Sequence, residues 1–287
     1  MTHPPTDTAR PVRRLRLGHS PDSDDAFMFY ALASGAVSHA NVQFDTVHRD
    51  IQTLNRLALH GELEITALSA HAYAHVWHHY ALFTHGASMG QQYGPVVVAP
   101  EPLELDALLG QRVAIPGFLT SAYLALRLRL ARFEPVFMPF DQIMAVVAAG
   151  EVPAGLLIHE GQLTHSSAGL HPVCDLGVWW HQETGLPLPL GVNAIRRDLG
   201  PKLLAQASAL LKESIRFGLA HRDEALAYAM GFADDVPRDL TDRFVAMYVN
   251  DLTLDLGPTG RASVELFLRR GYEAGIIPDL PQVEWIP

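Results

Sequence analysis

The sequence predicts an α/β protein of two similar lobes with a ligand cleft between them. Strand-like apolar runs alternate with helical segments, one helix–strand plan occurs twice, and two segments that contain glycine and proline mark crossings between the lobes. The chain has 287 residues, of which 48% are hydrophobic and 18% are charged, enough for one large or two ordinary domains.

Composition excludes several classes of function. The 21 basic and 31 acidic residues give a net charge of -10, which disfavours a nucleic-acid partner. The single cysteine, Cys174, excludes an internal disulfide and a multi-cysteine metal site. Residues 1–14 are polar, without a following signal core or membrane-spanning stretch, so we expect a cytoplasmic protein with a frayed N-terminal tail and no membrane contact. The oligomeric state stays open, a homodimer included.

The first predicted unit is a strand over residues 15–19 followed by a helix. Ser20 fits the N-cap of that helix and Pro21 its first position. The aspartates at positions 22, 24 and 25 either complement the helix dipole or accept hydrogen bonds from ligand hydroxyl groups. On the second interpretation, Ser20 and Asp25 are candidate substrate-binding residues.

A helix–strand plan then occurs twice. In the first copy, a strand over residues 42–47 precedes Asp50, which caps a helix over 51–60, and a strand over 63–69 ends at Ser69. In the second copy, a helix over 141–151 leads to a strand that ends at His159. The ends of the two strands are expected to face one another across the cleft, where open α/β sheets bind ligands.

His159 is the candidate reactive group. It ends the apolar run Gly155-Leu156-Leu157-Ile158, as the last residue of a buried parallel strand does. Its imidazole would exchange protons near neutral pH, Glu160 could orient it, and Gly161 would allow a sharp turn. The alternative is a packed or solvated side chain, since the chain has 15 histidines.

Four more histidines follow Ser69, namely His71, His75, His78 and His79. The spacing of His71 and His75 is compatible with a metal on one helix face, but no third ligand is marked. We therefore predict no metal site. We expect these histidines to lie on a short helix, at the surface or between the lobes.

The inserted second lobe is predicted from two crossings, residues 91–99 and 186–195, which could act as a hinge. The predicted first lobe is 14–97 with 195–287, and the second is 98–194. Within the second lobe, a strand over 112–117 precedes a helix that begins at Thr120-Ser121-Ala122. Its free amides could bind a carboxylate, although ordinary capping explains the residues equally well.

The remaining segments carry no predicted chemistry. Trp179 and Trp180 either pack or line the cleft, and the helices predicted after Pro201 support the first lobe. Dinucleotide, phosphate-loop and nucleophile-elbow motifs are missing, so hydride transfer, ATP use and acyl-enzyme chemistry lack support. No cofactor is predicted.

The chain resembles the menaquinone-biosynthesis proteins of the futalosine route. The His159-Glu160-Gly161 segment is the most diagnostic, because it separates the branch that forms 1,4-dihydroxy-6-naphthoate from the chorismate dehydratases. The other matching segments are residues 20–32, Ser69 with 71–74, 93–95, 115–117 with Thr120, and 184–191.

This resemblance implies a fold like that of type II periplasmic binding proteins. It also implies a carbon–carbon lyase that converts cyclic dehypoxanthine futalosine, a small-molecule carboxylate, to 1,4-dihydroxy-6-naphthoate without metal or organic cofactor. His159 matches the proton acceptor, and the segments that match ligand contacts are Ala67, Leu68, Ser69, Thr120, Ser121 and Ala122.

The sequence departs from the family's usual pattern at Ala67, where a lysine is common, and at Ser23-Asp24, where Pro-Asn is common. The helix that begins near Thr120 would then carry more of the carboxylate binding. A chorismate dehydratase, a related lyase and a non-catalytic solute-binding protein are the alternatives.

Overall fold

Two β-sheets organise the chain in the computed structural model, which describes residues 12–232 and 236–287. The strands are β1 Arg13–His19, β2 Val42–His48, β3 Ile65–Ser69, β4 Tyr80–Phe83, β5 Ser88–Gly90, β6 Val96–Ala99, β7 Arg112–Ile115, β8 Glu134–Phe137, β9 Ala154–Leu157, β10 His171–Asp175, β11 Leu188–Arg196 and β12 Trp285–Ile286. The helices are α1 Ser23–Ala33, α2 Ile51–Leu59, α3 Ala70–Val76, α4 Ser121–Arg129, α5 Phe140–Ala148, α6 Gly161–Thr164, α7 Leu176–Thr184, α8 Pro201–Ala220, α9 Arg222–Ala229, α10 Arg238–Tyr248, α11 Asp251–Leu254 and α12 Gly257–Glu273.

The two sheets share one plan. The first has the order β12-β4-β11-β3-β1-β2, with β5 paired to β11, and the second has the order β10-β6-β9-β7-β8. In each sheet three parallel strands, β2-β1-β3 or β8-β7-β9, are followed by an antiparallel strand, β11 or β6. The predicted two-lobed α/β class is confirmed, and β3 and β9 occupy equivalent places in the two sheets.

The sheets are joined by residues 91–95 and 185–187. β6 belongs to the second sheet and β11 to the first. The predicted lobe boundaries at residues 97 and 194 therefore fall inside strands, and the division of the chain remains a prediction. We refer to the part built on each sheet as the first or second lobe.

The start of α1 differs from the predicted one. Asp22, not Ser20, is its N-cap, and Pro21 precedes the helix. The backbone amide and hydroxyl of Ser20 donate to the Asp25 carboxylate at 2.9 and 2.7 Å, so the loop is closed by Asp25. A frayed tail was predicted for residues 1–14. Residues 1–11 of it lie outside the described part of the chain, whereas Arg13 and Arg14 belong to β1.

The core holds α1 in a fixed position. Phe27, Met28 and Phe29 are fully buried, in one cluster with side chains of the first sheet and of α8, α9 and α10. Each such side chain contributes roughly 1.5–3 kcal/mol through the apolar surface it removes from water. The acidic loop before α1 is thereby anchored to a rigid element. Among the residues described, every helix is too short or too polar to span a membrane.

Candidate functional site

A cleft with about 680 Å³ of space, open solvent included, lies where the carboxyl ends of β3 and β9 meet. Both lobes line it, as expected for equivalent strands that face across a cleft. The second lobe contributes Ser121, Ala122, Ile158, His159 and Gln162, and the joining segment contributes Pro95. The first lobe contributes the acidic loop, the end of β3, part of β11 and two aromatic side chains of α10.

His159 is brought into this cavity by an unusual backbone conformation. Its φ of +55° lies in the left-handed region, so the turn after β9 occurs at His159 and not at Gly161. The ring packs edge-on against Phe140, with centroids 4.6 Å apart, and Nδ1 lies 3.0 Å from Oδ2 of Asp22.

Glu160 does not orient the imidazole as predicted. Its Oε1 instead accepts a hydrogen bond of 2.7 Å from the hydroxyl of Ser23, in the other lobe. The partner of the His159 ring is Asp22, a residue that sequence reasoning had only grouped with its neighbouring aspartates.

Burial controls the protonation of this pair. Desolvation lowers the pKa of His159, against the opposing effect of Glu160, Asp24, Asp25 and Asp50, so the ring favours its neutral, proton-accepting form. Desolvation also raises the pKa of Asp22 well above its ordinary value. Since both shifts disfavour charge, the contact is not a simple ion pair.

The other two aspartates are held by serines. Asp24 accepts a hydrogen bond of 2.9 Å from Ser88, and Asp25 accepts those of Ser20. Burial, with the charge of Asp25, raises the pKa of Asp24 to about 7, and burial also raises the pKa of Asp25. Within the described ranges, the cavity lining contains no lysine or arginine.

On β3, Ala67 and Ser69 line the cavity, whereas Leu68 points to the opposite face and joins the core. Asn55 holds Ser69 in place through two hydrogen bonds. Its Oδ1 accepts from the Ser69 backbone amide at 2.9 Å, and its Nδ2 donates to the Ser69 hydroxyl at 3.0 Å. Of the predicted segment, the structure therefore brings two of the three residues to the cavity.

At the start of α4, Ser121 and Ala122 line the cavity, but Thr120 does not. Thr120 is the N-cap, accepting from the Tyr123 amide at 3.2 Å and donating to the Gly117 carbonyl at 2.8 Å. The Ser121 hydroxyl donates to the carbonyl of Leu190 on β11 at 2.6 Å and so joins the two lobes.

Several lining residues were missed. Gln162 lies 2.7 Å from the Tyr248 hydroxyl, and its amide oxygen can accept from the His159 backbone amide at 3.2 Å. Phe244 and Tyr248 of α10 correct the expectation that the C-terminal helices carry no part of the site. Asn193 of β11 also lines the cavity. Among these residues, only the i, i+4 spacing of Phe244 and Tyr248 is visible in the sequence. It indicates that both lie on one helix face, but not that this face lines the cavity.

The remaining histidine and tryptophan candidates lie outside the cavity lining. His71 is fully buried at the interlobe contact, where its amide donates to Ser121 at 3.3 Å, whereas His78 and His79 are exposed. Groups of three or more potential metal ligands are not found in residues 12–232 and 236–287. Trp180 packs edge-on against Phe267, and neither it nor Trp179 lines the cavity.

Comparison with known proteins identifies relatives over nearly the whole chain. Residues 15–273 match a family model described as menaquinone biosynthesis. A 1,4-dihydroxy-6-naphthoate synthase of Thermus thermophilus is 42% identical over 94% of this chain and 98% of the relative. The enzyme of the same name from Streptomyces coelicolor is 36% identical over 93% of this chain and 95% of the relative.

Solved structures give the same picture at the level of the fold. A protein from Archaeoglobus fulgidus superposes with a TM-score of 0.88 at 45% identity, over 92% of this chain and 98% of the other. The alkanesulfonate-binding protein of Xanthomonas axonopodis superposes with a TM-score of 0.70 at 14% identity, over 96% and 98% of the two chains. The latter likeness shows the periplasmic-binding-protein fold alone.

Proposed function

Because the chain belongs to the menaquinone biosynthesis family, we propose that it converts cyclic dehypoxanthine futalosine to 1,4-dihydroxy-6-naphthoate, with His159 as the general base. Its named relatives make it an enzyme of the 1,4-dihydroxy-6-naphthoate synthase kind, and the substrate and the base are what we add. The observation that carries the proposal is the position of the His159 ring at the wall of the interlobe cavity, where burial lowers its pKa and favours the neutral form.

The cavity suits a bicyclic carboxylate. Apolar side chains, among them Ile51 and Phe244, offer contacts for an aromatic ring system, and the acidic loop offers acceptors for ligand hydroxyl groups.

A substrate carboxylate would depend on neutral donors. Ala67 stands where a lysine is common in the family, and no cationic side chain lines the described part of the cavity. The free amides at the start of α4, next to Ser121 and Ala122, and the Ser69 hydroxyl supply such donors. We propose that these groups hold the carboxylate.

In the proposed reaction, His159 removes a proton beside a carbonyl group of the substrate. The electron pair released by this deprotonation forms a double bond of the ring system, the carbon–carbon bond to the ribose-derived fragment breaks with its electron pair remaining on that fragment, and aromatisation provides driving force. The imidazolium returns its proton to the departing fragment. A positioned general base contributes roughly 10²–10⁴-fold in rate, and orientation of the substrate between the lobes must supply much of the rest.

Incubation of the purified protein with cyclic dehypoxanthine futalosine or with chorismate, followed by mass spectrometry, tests the proposal. We expect the naphthoate from the first compound and no new product from chorismate. His159→Asn should lower turnover by about 10²–10⁴-fold while ligand affinity is kept. His171→Asn, an exposed histidine of the same lobe, is the matched control.

A product from chorismate would favour the dehydratase alternative, and ligand binding without turnover would favour a solute receptor. The cytoplasmic location and the oligomeric state, a homodimer included, stay predictions of the sequence.

A further inference from the structure

We propose that Asp22 is a positioning residue, contributed by the first lobe, which fixes the His159 ring of the second lobe so that Nε2 is the basic nitrogen presented to substrate. This inference rests on the proposed role of His159 as the base. It adds that the base is complete only when the two lobes are in contact.

The geometry of the pair supports this role. Oδ2 of Asp22 lies 3.0 Å from Nδ1 of His159, and the side chains are only 9% and 14% exposed. Asp22 is the N-cap of α1, whose following turns are buried in the core of the first lobe. The carboxyl group is therefore held by a rigid element and not by a mobile loop.

A neighbouring contact aligns the two lobes at this point. Ser23, the next residue of the first lobe, donates to Glu160, the next residue of the second lobe, at 2.7 Å. Two consecutive residues on one lobe thus contact two consecutive residues on the other. The left-handed backbone of His159 turns its ring towards the first lobe at the same place.

The chemistry of imidazole explains what Asp22 would do. A neutral ring carries its proton on one nitrogen. Even when the raised pKa of Asp22 keeps its carboxyl group neutral, one of the two carboxyl oxygens holds no proton. With that oxygen facing Nδ1 as an acceptor, the ring proton stays on Nδ1 and the lone pair on Nε2. Other acidic groups influence the ring through their charge, namely Asp24 and Asp25 of α1, Glu160, and Asp50 before α2. Among the residues described, the carboxyl oxygen that reaches a ring nitrogen is that of Asp22.

The first test reads the tautomer directly. Nitrogen-15 NMR of the free protein, with the His159 signals assigned by difference to His159→Asn, should show the Nδ1–H form between pH 6 and 9. Asp22→Asn should convert the ring wholly or partly to the Nε2–H form, because the amide can donate to Nδ1, and Asn is as good an N-cap as Asp.

Asp24→Asn is the matched control for this measurement, because it removes a carboxyl group of the same helix start that is bonded to Ser88 and not to His159. An unchanged tautomer in Asp22→Asn, or an equal change in Asp24→Asn, would overturn the proposal.

The second test is a double-mutant cycle on turnover of cyclic dehypoxanthine futalosine. Asp22→Asn should lower kcat by about tenfold or more with little change in KM, and should have no further effect in the His159→Asn background. Losses that multiply would show that Asp22 acts independently of His159 and would refute the proposal. If the wild-type protein forms no naphthoate, the proposed function fails, and the NMR result still decides the role of Asp22.

Discussion

Replacement of Asp24 by asparagine should stabilise the protein at alkaline pH and have a smaller effect at acidic pH. Burial raises the pKa of Asp24 from 3.8 to about 7 in the folded state. Below pH 3.8 both the folded and the unfolded chain hold the proton. As the pH rises towards 7, the unfolded chain loses it first, so the free energy of unfolding falls until both forms are ionised.

The magnitude follows from the pKa interval. At about 1.36 kcal/mol per pKa unit, the rise from 3.8 to about 7 corresponds to a loss of up to about 4 kcal/mol at pH 8 and about 1–2 kcal/mol at pH 5. Asparagine has no charge to desolvate, and its side-chain oxygen can still accept the hydrogen bond from Ser88. The variant should therefore recover most of this free energy.

Thermal unfolding followed by circular dichroism at pH 5 and pH 8 measures the effect. Unfolding entropy is about 2.1 cal/mol/K per residue, so in a chain of 287 residues the midpoint should rise by up to about 7 °C at pH 8 and about 3 °C at pH 5. Asp279→Asn, at an exposed carboxylate, is the control. A midpoint shift of Asp24→Asn that is absent, or equal at the two pH values, would refute the reasoning.

Three further outcomes are expected. Asn55→Ala leaves the buried Ser69 amide without its partner. Chemical denaturation should therefore show that the free energy of unfolding falls by about 2–4 kcal/mol, and kinetics should show a raised KM. Unchanged stability would contradict the role given to Asn55. Gly177→Ala, in α7, would place a Cβ 1.9 Å from the carbonyl oxygen of Tyr93, in the joining segment 91–95. It should lower both the thermal midpoint and the activity, and normal values would mean that this segment shifts freely. His159→Ala should unfold at a lower temperature than His159→Asn by the equivalent of about 1 kcal/mol, because asparagine tolerates the left-handed backbone; equal midpoints in calorimetry would contradict that strain.

Much of the fold was readable from the sequence because its signals are local. The strand of residues 42–47, the Asp50 cap and the helix at Thr120 depend on alternation, capping and spacing within a few positions, and the structure has them within a few residues. The predicted start of α1 was wrong because the Ser20 hydroxyl could either cap the helix or bond to a neighbouring aspartate. Its hydroxyl is bonded to Asp25, so the capping position passes to Asp22.

The site was harder to predict because it is assembled across the chain. His159 and Ser69 could be placed at strand ends, where the fold itself directs side chains into the cleft. The contact of Asp22 with His159 joins residues far apart in sequence, and Tyr248 comes from a helix whose pattern indicated only packing. Leu68 and Thr120 lie next to lining residues, but strand alternation and capping turn them away.

The shared plan of the two sheets explains why the candidate base needs both lobes. Equivalent strands, β3 and β9, end at Ser69 and His159, so each lobe presents one polar group to the same cavity. A single lobe would leave His159 at a surface, hydrated and with an ordinary pKa. Contact with the buried, acid-bearing start of α1 removes water from the ring and supplies the Asp22 carboxyl group at the same time. Desolvation and orientation of the proposed base are thus two consequences of one interlobe contact, and a variant that opens the lobes should lose both together.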